Sequence, residues 1–331
     1  MENSHLKTLI IGCGNIAGRF DLDRKGLPLT HAGAYTKHGK FDILGCVDPN
    51  KKRLEQFAKK WSIKNLFLSL EEVHLSGLDF DVISICSDTK SHYKIVQHAI
   101  KLKPRLIFCE KPLASRYKEA VNITKMCKKA GILLMVNHTR RWDPKVIELK
   151  NDIVRGKLGK IRSVIGYYNK GILNNGSHLI DLILYFFNSL KIVSATSAVN
   201  DQFKNDPSIS ALLNTNSGLP VSLVTSHAAD YSMFELQIIA SKKIITIKNG
   251  GLFWSIRSIN EDSIFKGYKY LEKEKYTKGK YLKSMIGAIN NMYNALTKGD
   301  RLWCTGEEAC AAHKICHDLS KIALINYKKK F

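Results

Sequence analysis

The sequence predicts an α/β protein in two parts: a doubly wound parallel sheet over residues 1–142, then an α+β domain with a largely antiparallel, open-faced sheet over 143–331. Three observations lead there. Residues 7 to about 138 alternate short apolar runs with helical patterns, the mark of a parallel sheet covered on both faces. Beyond Pro144, short β-rich segments follow one another with little between them, which implies antiparallel pairing. A chain of 331 residues with 44% hydrophobic content is also long for one core and comfortable for two domains.

In the first part the apolar runs are 7–11, 43–47, 82–86, 106–109 and 132–136. Helical periodicity is clearest at 51–60, 92–101 and 116–129. In the second part the pattern predicts helices over 144–155 and 177–187. Strands are expected over 161–168, 192–199, 208–213, 221–227, 234–240 and 243–248, with Asn216-Ser217-Gly218 as a hairpin turn. Two helices close the chain, over 284–297 and 307–324, the last opened by a capping box of Thr305 and Glu308.

Composition excludes several classes. No apolar run is long enough to span a bilayer, and the amino-terminal apolar stretch runs into a glycine turn instead of a cleavage site, so a soluble, cytoplasmic protein with no membrane partner is expected. The eight cysteines contain no CxxC pair and are expected reduced, Cys46, Cys86 and Cys109 as small buried hydrophobes. Lys and Arg number 52 against 29 Asp and Glu, a formal charge of +23. Such a field attracts phosphates, but the lysines are scattered and only 328–330 form a run, too short for a nucleic-acid patch. A phosphate-bearing small molecule suits the charge better than DNA or RNA.

The first strand ends in Gly12-Cys13-Gly14-Asn15-Ile16-Ala17-Gly18, a glycine turn that brings backbone N–H groups to a pyrophosphate. Gly12 permits the tight turn, Gly14 the close approach, and Ala17 the packing of helix on strand. The second strand ends in Cys46-Val47-Asp48-Pro49, which puts Asp48 where a carboxylate bonds the adenosine ribose hydroxyls and repels a 2′-phosphate. This predicts a dinucleotide-binding Rossmann domain preferring NAD to NADP, although Lys51, Lys52 and Arg53 follow closely. A turn or helix-cap role is the alternative for Asp48.

Together, GCGNIAG, the CVDP strand end, FCEKPLA after the fifth strand, NHTRRWDP after the sixth and NNGSHLIDL in the second domain resemble the glucose-fructose oxidoreductase, inositol dehydrogenase and rhizopine-catabolism (Gfo/Idh/MocA) family. They occur in the expected order over most of the chain. The resemblance implies that Asn15, Ile16, Ser87, His92, Glu110 and Lys111 line the cofactor, with the Ser87-Asp88-Thr89 loop on its nicotinamide side. It implies that Lys111 touches the reacting hydroxyl and that His178 serves beside it. Near a positively charged nicotinamide an ammonium is disfavoured, which suits Lys111 to proton transfer; an exposed lysine without a role is the alternative. The family usually carries an aspartate four residues before the histidine. Here that place holds Asn174, which takes no proton but can bond a sugar hydroxyl. Asp181 could orient the His178 imidazole or cap its helix, and a helix-start histidine bonded to backbone is the alternative for His178 itself.

Arg140, Arg141 and Trp142 follow the sixth strand, where arginine clamps an anionic substrate group or makes an interdomain salt bridge. His31 is a further candidate for the cleft. Cys304, Cys310, His313, Cys316 and His317 invite a metal, but Ala309, Ala312, Cys316, Leu319 and Ile322 trace an apolar stripe, so packing is expected and no metal. The sequence therefore points to an NAD(H)-dependent oxidoreductase acting on a hydroxyl or keto carbon of a sugar, a nucleotide sugar of surface-polysaccharide synthesis suiting the charge. A non-catalytic dinucleotide or sugar sensor on the same scaffold is the rival. An exposed sheet face in the second domain predicts a homo-oligomer.

Overall fold

The structure is a computed structural model describing residues 5–196 and 198–328. Its first compact unit is built on β1 (Leu6–Ile11), β2 (Phe41–Val47), β3 (Asn65–Phe67), β4 (Val82–Ile85), β5 (Leu106–Cys109) and β6 (Leu133–Val136), all parallel in the order 3-2-1-4-5-6. That order reverses at β1, the point where doubly wound sheets bind ligands. The strands are apolar without alternation because helices cover both faces: β4 and β5 are buried throughout. The covering helices are α1 (His31–His38), α2 (Lys51–Trp61), α3 (Leu70–Leu75), α4 (His92–Ala99) and α5 (Tyr117–Lys129). Local chemistry starts and stops them: Thr30, Asn50 and Ser69 side chains cap α1, α2 and α3, and left-handed Gly39 ends α1.

In the second unit α6 (Pro144–Val154) precedes β7 (Ile161–Tyr168), α7 (Ser177–Phe187), β8 (Lys191–Ala195), β9 (Val199–Phe203), β10 (Asp206–Ser208), β11 (Ala211–Asn214) and β12 (Pro220–Thr225). Then come β13 (Phe234–Ala240), β14 (Lys243–Lys248), β15 (Phe253–Glu261), β16 (Lys269–Leu271) and β17 (Lys275–Lys278). The main sheet runs 16-15-14-13-7-12-11-8 with β17 beside β15; only its β7–β12 pair is parallel. Residues 192–199 and 208–213, read as one strand each, are divided. β9 and β10 form their own hairpin, and Ser197 lies outside the described residues.

Register explains the two faces of this sheet. Val164, Leu223, Leu213, Leu236, Ile238 and Ile247 point to one side and are buried with α6, α7 and the last helix. Their neighbours Leu212, Ser222, Val224, Ile165, Tyr167 and Gln237 share the other side, and Leu212 there is 53% exposed.

The second domain does not run unbroken from 143 to 331. Residues Leu282–Cys310 pack with the first unit, and the division falls inside the last helix. The cause is specific packing by α8 (Ser284–Lys298): the Tyr35 hydroxyl faces Met292 Sδ, and Gly287 lets α8 approach the Trp142 backbone where a Cβ would lie 2.8 Å from its carbonyl oxygen. An isolated antiparallel bridge from Thr305 to Met135 adds to β6. α9 (Gly306–Lys328) opens with the expected capping box, Thr305 N–H donating to Glu308 Oε2 at 2.9 Å. Of the terminal lysine run, 329 and 330 lie outside the described residues. No helix among the described residues is long and apolar enough to cross a membrane.

Candidate active site

The first residue beyond each central strand continues the hydrogen-bond ladder. Gly12 N–H donates to Val47 O, Cys86 N–H to Ile11 O, Glu110 N–H to Ile85 O and Asn137 N–H to Cys109 O, at 2.8 to 2.9 Å. Gly12, Cys86, Glu110 and Asn137 therefore stand in a row along the carboxyl edge of the sheet, about 4.8 Å from one to the next.

Gly12 has φ +87°, and a Cβ there would lie 2.7 Å from Ser87 N; around Gly14 a Cβ would meet nothing within 4 Å. One glycine allows the chain to turn and the other leaves open space where a pyrophosphate approaches. The helix expected directly after the turn is interrupted. His31 and Ala32 N–H donate to Ile16 O and Ala17 O at 3.1 and 2.8 Å, so the turn over 14–17 abuts the start of α1 and takes up its first free N–H groups. Residues 18–30 are extruded between them, since Gly26 and Pro28 prevent a continuous helix. Buried Asp21 ties off this loop: its carboxylate accepts from Leu29 N–H, Thr30 N–H and the Thr30 hydroxyl.

A cavity of about 540 Å³ opens over this turn, lined among others by Gly12, Gly14, Asp48, Arg53, Ser87 and Lys94. Asp48 accepts from Cys13 N–H (2.9 Å) and Asn50 N–H (2.8 Å), and Arg53 Nη1 lies 3.4 Å from it. The carboxylate thus fastens the glycine turn to the end of β2 while bordering the cavity, so the turn role and the cavity position coexist. Open space at Gly14 and a cavity of this size fit a dinucleotide.

Lys111 follows Glu110 at the same edge and is half-buried. Beneath it lies a polar network that sequence reasoning saw only in part. His31 Nε2 donates to Glu110 Oε1 at 2.8 Å, and Asn137 Nδ2 donates to the same oxygen at 2.6 Å. Thr139 donates to Asn137 Oδ1 and so fixes which way that amide faces. His31 Nδ1 is 3.2 Å from Ser84 Oγ, itself 2.7 Å from the Tyr35 hydroxyl. Burial works against the charge on Glu110, but the hydrogen bond and charge of His31, then Asn137 and Lys111, outweigh it and hold the carboxyl below its usual range. His31 is thus a fully buried partner of Glu110 and not a lining residue. Ser84, Tyr35 and Asn137 were missed, because their role follows from cross-strand neighbours.

His92, expected to line the cofactor, is fully buried instead. Its ring nitrogens lie 3.1 Å from Pro112 O and 3.2 Å from Ser87 O, between the loop carrying Lys111 and the loop after β4. Burial holds this imidazole below its ordinary value. Arg141 and Trp142, expected at the substrate, are core residues of the first unit. Arg141 is 2% exposed, donates to Trp303 O at 2.8 Å and pairs with Glu308 at 3.1 Å; Trp142 Nε1 donates to Asn291 Oδ1. The ion pair lies within one unit, so the interdomain alternative is replaced as well. Arg140 is half-buried beside them.

In the second unit His178 lies near the start of α7, mostly buried, with its ring edge-on to Phe234 at 6.2 Å. The chain reaches it through a π-helical turn, Gly171–Gly176. Asp206 accepts from Leu173 and Asn174 N–H, and Asp201 accepts from Lys170 N–H, so the β9–β10 hairpin anchors this turn. The Asn174 side chain donates to Lys170 O at 3.0 Å, Asn175 donates to Asn169 O and Met233 O, and Asp181 is buried in α7. Neither hairpin aspartate was anticipated; they lie some thirty residues from the turn they hold.

Cys304 and Cys310 belong to the first unit and His313, Cys316 and His317 to the second. Cys316 donates to Ile172 O, and among the described residues no group of three or more His, Cys, Asp or Glu could hold a metal ion.

Comparison with known proteins places this geometry. Residues 6–138 match the oxidoreductase family, NAD-binding Rossmann fold, and residues 146–246 match the GFO/IDH/MocA C-terminal domain. A D-apiose dehydrogenase of Paraburkholderia graminis is 23% identical over 241 residues, 67% of this chain; the match spans 61% of that relative's length. The WlbA dehydrogenase of Bordetella pertussis, solved with NADH and UDP-GlcNAcA, superposes with TM-score 0.75 at 17% identity over 96% of each chain. The super-repressor mutant of Gal80p from Saccharomyces cerevisiae does so with TM-score 0.78 at 15% identity over 97% of each. At such identities these two structures establish the shared fold alone. The two family matches cover more than half of the chain, and the protein belongs to the GFO/IDH/MocA oxidoreductase family, with an NAD-binding Rossmann fold as its first domain.

Proposed function

We propose that the protein is an NAD(H)-dependent oxidoreductase that interconverts a hydroxyl and a keto carbon of a sugar, and that the sugar carries a phosphate, as in a nucleotide sugar used for surface polysaccharide. The observation that carries the proposal is Lys111 at the carboxyl edge of β5, in the strand row that begins with the Gly12 turn. Gly12, Gly14, Asn15, Ile16, Asp48 and Ser87 hold the dinucleotide, which supplies a two-electron hydride acceptor or donor. The hydroxyl proton has to pass to a side chain. We assign that work to Lys111 in the first unit and His178 in the second, with Asn174 bonding a sugar hydroxyl. Asp48 favours NAD over NADP. The charge of +23 favours an anionic substrate, and the nucleotide-sugar ligand of the WlbA dehydrogenase and the sugar named for the apiose relative support the class.

The rival, a non-catalytic sensor or co-repressor, has two observations in its favour: an amide at Asn174 and the likeness to Gal80p. Nicotinamide absorbance decides between them, with NAD+ or NADH and a panel of nucleotide sugars, their keto forms and free sugars. Turnover lost in both Lys111→Ala and His178→Ala supports the enzyme; tight NADH binding without turnover across the panel moves the assignment to the sensor. We also propose that the open sheet face of the second unit, with exposed Leu212 and Val224, is covered by a second copy. Light scattering that finds only a 37.4 kDa species overturns this.

A further inference from the structure

The cofactor reading leaves unexplained why a glutamate and a histidine are buried together under the proposed catalytic lysine. A carboxylate ion takes no hydrogen bonds as a donor, so the hydrogen on His31 Nε2 has to point at Glu110. His31 and Asn137 together give Oε1 two donors, and the Asn137 amide also reaches Met285 Sδ at 3.5 Å. The arrangement holds an ionised carboxylate in a fixed place at the end of β5, with His31 as its partner. In doubly wound sheets of this order the glycine turn takes the pyrophosphate, the β1–β3 half takes the adenosine, and the β4–β6 half takes the other nucleoside. Glu110 stands two strands from Gly12 in that second half, about 10 Å along the edge. Its side chain is 11% exposed, and its charge reaches Cys86, a neighbour that lines the cavity over the glycine turn.

We infer that Glu110 is the counter-charge of the nicotinamide ring, that it makes this protein bind NAD+ in preference to NADH, and that His31 and Asn137 are the positioning residues that hold it there. The ring carries a positive charge when oxidised and none when reduced, so a fixed carboxylate discriminates between the two forms where shape cannot. Lys111, the next residue, brings an opposing charge that the Glu110 carboxylate offsets. The inference rests on the dinucleotide reading above.

The test is equilibrium binding, which needs no substrate. NAD+ and NADH are titrated separately into the full-length wild type and Glu110→Gln. Glutamine keeps an acceptor for His31 and Asn137 and removes only the charge. NAD+ should weaken on the order of tenfold, as expected for one charge in a partly screened crevice, while NADH changes less than about twofold. Equal losses for both forms, or no change in either, overturn the inference. If neither form binds the wild type, the dinucleotide reading itself has failed, which is a different result. Should Glu110→Gln not fold, Glu110→Asp carries the test. It keeps the charge and must keep the wild-type ratio of affinities even if both weaken; a collapsed ratio overturns the inference. Ser84→Ala, which breaks the network two bonds away from the carboxylate, should leave the ratio in place.

Discussion

Removing the Asp21 carboxylate should destabilise the first unit and loosen its dinucleotide site together. Three donors converge on this buried group: Leu29 N–H at 3.0 Å, Thr30 N–H at 3.0 Å and Thr30 Oγ1 at 2.6 Å. Thr30 also caps α1 through Gly33 N–H, and Gly33 packs so closely that a Cβ there would lie 2.4 Å from Asp21 Oδ2. Hydrogen bonds to a charged acceptor contribute about 1.5–3 kcal/mol each, though not additively, and in Asp21→Ala two backbone N–H groups lose their partner. We expect a loss of about 3 kcal/mol, which in a unit of this size lowers the midpoint by about 6–12 °C.

The assay is calorimetry on wild type, Asp21→Ala and Asp21→Asn, followed by NADH titration at a temperature where all three are folded. Asparagine keeps one acceptor and should fall between the other two. The Asp21 clasp closes the loop between the turn over 14–17 and α1, so NADH binding should weaken in the folded alanine variant. A stability loss below about 1 kcal/mol would show that the loop is held by other contacts and that the reasoning from the three bonds is wrong.

Three other outcomes are expected. Gly14→Ala should fold with wild-type stability, since a Cβ there meets nothing within 4 Å, yet lose most of its NADH affinity because the methyl occupies the pyrophosphate approach; wild-type affinity by fluorescence titration would remove Gly14 from the site. His92 is held below its ordinary 6.5 by burial, so the unfolded chain takes up its proton first as pH falls. Stability should therefore drop as pH falls through about 6.5, and His92→Gln should flatten that slope in denaturant titrations; parallel curves would refute it. Arg141→Met should cost about 1–3 kcal/mol by leaving the Trp303 carbonyl without its donor and Glu308 with Arg301 and the Thr305 N–H alone, with KM unchanged; a raised KM in a stable protein would restore Arg141 to the substrate.

What could be read in advance followed from how each element is buried. The central strands announce themselves because both faces are covered, and their apolar runs are broken only by small polar residues such as Thr8 and Ser84 in their buried stretches. α1 left no helical period: His31 to Tyr35 are all buried and the exposed residues Thr36 and Lys37 fall together at its end instead of along one face. β3 is three residues long, and β15 to β17 lie toward the sheet edge with half-exposed side chains that blur alternation. The glycine turn was legible because it depends on a local motif, the same kind of signal on which the proposed roles of Lys111 and His178 rest. The Arg141 partners were not, since Trp303 and Glu308 are distant in sequence and a buried arginine reads like an exposed one.

The network around Glu110 also bears on why the edge has the register it does. Strands buried on both faces have no apolar/polar alternation to oppose a slip by one residue. A slip of β5 would bring Lys111 into the pocket beneath the edge and turn Glu110 outward, removing the acceptor from both His31 Nε2 and Asn137 Nδ2. Two buried donors would lose their partner and an ammonium would take the place of the carboxylate. The cost of that exchange is a penalty on the wrong register that the apolar residues of β5 cannot impose. On this argument Glu110, His31 and Asn137 hold Lys111 in place by opposing every alternative, and a single buried cluster serves both the alignment of the sheet and the charge beside its ligand.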